Sequence, residues 1–66
     1  MIMNFAKNLK KLRQDNNLSQ EDIAEKLNTS FKTVSHWETG YSEPSLTQLE
    51  KLSKIFDVTI DELIKD

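Results

Sequence analysis

No cysteine stands anywhere in the 66 residues, so neither a disulfide nor a thiolate metal site can reinforce the fold. A core this small must hold by helix packing alone. Glycine and proline occur once each, at Gly40 and Pro44, and residues 40–44, GYSEP, form the only obvious loop. No apolar run approaches the ~20 residues of a membrane span. Met1, Ile2 and Met3 lead into polar residues rather than the apolar stretch of a secretory leader, so a soluble, cytoplasmic protein with no membrane partner is expected. Alternation of the kind that marks strands is missing, as are internal repeats and low-complexity segments. A single histidine, no Gly-rich phosphate loop and no metal-ligand spacing such as HExxH leave catalysis, cofactor binding and metal binding without candidate residues. A core of this size is expected to spare no pocket for a small molecule.

Charge of one sign is not in excess either. Nine Lys and Arg stand against eleven Asp and Glu, a net charge of −2, which is unusual for a chain that binds nucleic acid. The distribution is uneven, however. Lys7, Lys10, Lys11 and Arg13 face only Asp15 within the first eighteen residues, whereas residues 45–66 carry five acids against three bases. Such a dipolar domain can still turn one face of favourable potential toward DNA.

What is present is helical periodicity. Phe5, Leu9 and Leu12 recur at i, i+4 and i+7, with Asn4 placed to cap the first helix and Asn16-Asn17 to end it. Leu18 is expected to tuck into the core. Ser19 opens a second helix with Glu21 and Asp22 in its first turn, and Ile23, Ala24 and Leu27 form its inner face. Asn28 falls where the chain must reverse, a place suited to left-handed backbone, and Thr29 or Ser30 caps a third helix with Val34 and Trp37 inward. Ala24 supplies the small residue that two closely crossing helices need. Gly40 stops the third helix. After Pro44, the run Ser45-Leu46-Thr47-Gln48 is a capping box for a fourth helix with Leu46, Leu49, Leu52, Ile55 and Phe56 as its stripe. Asp57-Val58 breaks it, and Thr59-Ile60-Asp61-Glu62 caps a short fifth helix burying Leu63 and either Ile60 or Ile64. The expectation is a single all-α domain over residues 1–66, with about five short helices and a central helix-turn-helix at about residues 20–39.

The segments LSQEDIAEKLN, SFKTVSHWETG with the later Pro44, and IFDVTIDELI together resemble the Cro and lambda-repressor type of helix-turn-helix domain, the xenobiotic-response-element family. The likeness runs from about Phe5 to Ile64, and the Trp37-Glu38-Thr39-Gly40 ending makes it more specific than a bare helix-turn-helix pattern. It implies a transcriptional regulator, a repressor of the phage type, that places its third helix in the major groove of double-stranded DNA. The family's base-contacting positions fall on Phe31, Lys32, Ser35 and His36, with Ser30 and Thr33 near enough for a base or a phosphate. Lys32 suits guanine O6 and N7, His36 a purine edge, and Phe31 either a thymine methyl or a neighbouring helix. Gln20, with Ser19 beside it, is expected to meet a phosphate or to serve only as a polar first-turn residue, and Glu21 and Asp22 must then face aside. Thr39, Tyr41 and Ser42 are further contact candidates. Many relatives carry a basic residue after the glycine; here Tyr41 and Ser42 follow, offering hydroxyls without charge. The resemblance also pairs Arg13 with Glu38 as a structural ion pair. It further implies a homodimer on a palindromic operator, with the dimer surface between the Gly40 loop and the fifth helix. The competing reading is a helix-turn-helix protein-interaction module of the antitoxin or anti-repressor type, which the acidic balance, the missing loop cation and Phe31 would suit.

Overall fold

Five helices follow one another in the computed structural model, which describes residues 4–65: α1 (Phe5–Asp15), α2 (Gln20–Leu27), α3 (Phe31–Glu38), α4 (Leu46–Phe56) and α5 (Ile60–Ile64). The reading of Met1–Met3 lies outside the described residues. No strand occurs among the described residues, and no helix there is long and apolar enough to cross a membrane.

Why the chain breaks where it does is visible in the caps. Ser19, Ser30, Ser45 and Thr59 each sit in extended backbone and accept a hydrogen bond from the amide three residues on, satisfying a donor the helix itself cannot. Ser30, not Thr29, therefore opens α3. The carboxyl ends share a second device. Asn17, Asn28, Gly40 and Asp57 all have positive φ, and the next amide in each case reaches back five residues: Leu18 to Arg13 O (2.9 Å), Thr29 to Ala24 O (2.9 Å), Tyr41 to His36 O (2.9 Å) and Val58 to Ser53 O (3.0 Å). These closures satisfy carbonyls that would otherwise be orphaned. With one glycine in the chain, Asn and Asp take the left-handed position at the other three ends, which they tolerate better than bulkier residues.

The core gathers Phe5 and Leu9 of α1, Ile23, Ala24 and Leu27 of α2, Val34 and Trp37 of α3, Leu49, Leu52 and Phe56 of α4 and Leu63 of α5. Phe5 meets Trp37 edge-on at 6.3 Å between ring centres. Leu12, Leu18, Ile55, Val58, Ile60 and Ile64 are half-buried around this cluster. α3 packs on α2 and α1, while α5 packs on α1 and α4. Asn8 fastens that last contact, its Nδ2 donating to Leu63 O at 3.0 Å and Lys65 O at 2.6 Å.

Two expectations fail. Asn4 occupies the position before α1 but makes no side-chain cap, because its own φ of 49° puts it in left-handed rather than extended backbone. Leu46 is 67% exposed instead of part of the α4 stripe: as the first residue of that helix it projects beyond the elements that cover Leu49 and Leu52.

Candidate nucleic-acid interface

α2 and α3 pack together with Ala24 of α2 only 4% exposed, and the left-handed Asn28 reverses the chain between them. With Val34 and Trp37 buried, the opposite side of α3 presents Phe31, Lys32, Ser35 and His36. Phe31 is 53% exposed, which settles its position as outward rather than core. Lys32 is exposed; Ser35 and His36 are half-buried. The His36 ring lies 4.6 Å from that of Tyr41, tilted by 50°, so the end of α3 and the following loop share an aromatic surface. Tyr41 is 80% exposed. Thr39 donates its hydroxyl to His36 O at 3.2 Å, and Ser42 donates its backbone N–H to the same oxygen at 3.3 Å, so the loop is folded back onto the helix.

Ser30 and Thr33 face each other at the amino end of α3, their hydroxyls 2.8 Å apart, and no acid lies in that first turn. At α2 the arrangement is reversed in sign. Ser19 Oγ accepts from the Asp22 amide at 3.0 Å while the Asp22 carboxylate accepts from the Ser19 amide at 2.8 Å. That backbone hydrogen bond, helped by the Ser19 hydroxyl, holds the Asp22 carboxyl below the usual carboxylate range. Asp22 therefore does not face aside; it caps its own helix.

Gln20 is half-buried, and its amide Nε2 donates to Glu38 Oε1 at 3.0 Å. The same carboxylate receives Arg13 twice, from Nε at 2.6 Å and from Nη2 at 3.0 Å, and Arg13 Nη1 donates to Leu18 O at 3.0 Å. With side chains only 13% and 4% exposed, the expected Arg13–Glu38 pair is present, largely out of solvent. Hydrogen bonding to Glu38 raises the Arg13 pKa further, against the cost of burial. This network locks the end of α1, the start of α2 and the end of α3 into one frame. The engagement of Gln20 was not foreseeable, since a partner eighteen residues away leaves no local pattern.

A buried ion pair bracing a helix-turn-helix, with the second helix turned outward, defines a class, and the chain belongs to the helix-turn-helix family of the Cro and lambda-repressor type, which it matches over residues 9–63. Members of this family are DNA-binding transcriptional regulators. Among curated proteins the chain is similar to the HTH-type transcriptional activator BcrR of Enterococcus faecalis, at 45% identity over 94% of the chain and 30% of that protein. Other relatives are named as transcriptional regulators and repressors. A transcriptional regulator from Listeria innocua superposes with a TM-score of 0.91 at 34% identity, over 97% of the chain and 60% of that protein. The hydroxypropylphosphonic acid epoxidase of S. wedmorenis also contains this fold, at a TM-score of 0.87 and 29% identity, over 97% of the chain but 34% of the enzyme. The chain thus spans about a third to three-fifths of these relatives. Among the described residues no group of His, Cys, Asp and Glu is arranged to hold a metal ion.

Proposed function

We propose that the chain binds a palindromic operator in double-stranded DNA as a homodimer, in the cytoplasm, with α3 of each copy in the major groove. The observation that carries this reading is the outward face of α3: Phe31, Lys32, Ser35 and His36 are accessible on a helix whose inner face is buried and whose end is pinned by Glu38. Pre-positioned in this way, Lys32 donates to guanine O6 and N7, His36 meets a purine edge, and Phe31 lies on a thymine methyl. Ser30, Thr33, Thr39, Tyr41 and Ser42 border that face and supply hydroxyls toward the backbone. Ser19 and Gln20 contribute at the margin, since their polar groups already serve Asp22 and Glu38.

The molecule measures 25 × 24 × 21 Å and carries a single helix-turn-helix, whereas half-sites one helical turn apart are about 34 Å from centre to centre. Two copies are therefore needed, and the surface from the Gly40 loop through α5, with exposed Leu46, is where they meet. Repression follows where the operator overlaps a promoter; that BcrR is named an activator shows the same domain type serving the opposite sign.

Selection of bound sequences from a random duplex pool tests this directly. A two-fold symmetric sequence should be enriched, and Lys32→Ala should relax base preference at one position of each half-site. Sedimentation of the complex should show two copies per duplex. Failure to enrich any sequence at low salt would favour the second reading, a module that docks a partner protein through Phe31 and Tyr41, which the cation-free loop and the net charge of −2 support.

A further inference from the structure

The four cations of α1 divide into two pairs. Lys11 is bound to Asp15 at 3.1 Å and Arg13 to Glu38. Lys7 and Lys10 are exposed and have no ion-pair partner among the described residues. Both line an open groove of about 540 Å³ between the first half of α1 and the segment that follows α3. Its opposite wall includes Thr39, Gly40 and Ser42, and Phe5 and Trp37 also line it. Lys11 lines a different groove, with Asp15 and Val58.

We infer that Lys7 and Lys10, with the Ser42 hydroxyl, form a seat for a DNA backbone phosphate at the carboxyl end of α3. The inference deepens the DNA-binding reading above and rests on it. Three features point to an anion of this kind. Two unneutralised ammonium groups flank one opening, and a phosphodiester brings the complementary charge. The segment across the groove is continuous with the reading face, because Tyr41 packs on His36 and Thr39 and Ser42 bond back to His36 O. That segment has no cation of its own between Gly40 and Pro44, so the charge comes from α1 instead. The helix dipole opposes an anion here, since α3 presents its negative end, so the attraction must come from the two ammonium groups. Of the carboxylates in the groove, Glu38 is engaged by Arg13 and Gln20, and Glu43 lines the loop side.

The test is the salt dependence of binding to the selected operator. In Lys7→Gln/Lys10→Gln, the slope of log affinity against log salt should become shallower by about two, with roughly tenfold weaker binding near 0.1 M salt and unchanged base preference. Ser42→Ala should weaken binding about two- to fivefold without altering the slope, because the lost donor carries no charge. Lys11→Gln should leave the slope as in the wild type. Both lysines are exposed, so the double variant should keep the wild-type circular dichroism and melting midpoint. An unchanged slope in the folded double variant, with wild-type binding intact, overturns the phosphate seat and leaves the DNA-binding reading standing. Absence of wild-type binding to any duplex overturns both.

Discussion

The amino ends of α2 and α3 begin with the same residue type and differ in charge. Ser19 and Ser30 both accept from the amide three residues on, so both helices start with their first donors satisfied. At α2 the third residue is Asp22, which returns a carboxylate to the Ser19 amide and neutralises the positive end of the dipole. At α3 the third residue is Thr33, whose hydroxyl pairs with Ser30 and adds no charge. One helix is optimised for stability and the other is left electrically open toward whatever approaches it. A helix that only supports can carry acid; under the proposed DNA-binding role, α3 could not do so without repelling phosphate.

Glu38, at the carboxyl end of α3, holds Gln20 at the start of α2 and Arg13 near the end of α1, and its removal should have the largest effect. Glu38→Ala leaves the Arg13 guanidinium largely desolvated without its partner, at a cost of about 3 kcal/mol. For a domain of this size the melting midpoint should fall by roughly 12–24 °C. A fall of only a few degrees in calorimetry would show that the network decorates the fold rather than framing it.

Next comes Thr33→Glu, which gives α3 the same carboxylate capping box as α2. Stability should hold or rise by about 0.5 kcal/mol, while operator affinity falls by about tenfold. If affinity survived in a fluorescence titration, the contrast between the two helix ends would carry no functional meaning. Ser19→Ala and Ser30→Ala should each cost about 1 kcal/mol in urea unfolding, since each exposes the same unmet donor.

The smallest effect is the response to acid. Asp22, and Glu62 in the matching box of α5, are held below the usual carboxylate range chiefly by the backbone amides of Ser19 and Thr59. A carboxyl whose folded pKa is depressed stabilises the fold above its unfolded value, near pH 4, and loses that contribution as pH falls through the folded value. Asp22→Asn/Glu62→Gln should therefore flatten the decline of the melting midpoint below about pH 4.5. Thr33 carries no titrating group, so Thr33→Val should leave the shape of that decline unchanged.

Most of the architecture was legible because its signals are local. Ser19, Ser45 and Thr59 with an acid or amide three residues later mark helix starts, and Asn28 and Gly40 mark ends, all within a span of a few residues. Asn4 misled because residue type alone does not reveal that its backbone turns left-handed, which prevents its side chain from capping. Leu46 misled because periodicity assigns a face without showing that the first turn extends past its neighbours. At the site, the outward face of α3 followed from the inward Val34 and Trp37. Gln20's bond to Glu38 and the approach of Lys7 and Lys10 to the loop depend on how distant segments meet, which no spacing encodes.

Asn8 has a mechanical consequence. Its amide clasps Leu63 and Lys65 across the seam between α1 and α5, so the string of helices closes into a hoop. A tug on the backbone at Lys65 is borne first by that clasp and by α1, and passes to α3 through the Phe5–Trp37 packing as well as the Arg13–Glu38 pair. The clasp thus ties the carboxyl side of the hoop to α1 for as long as it stays shut.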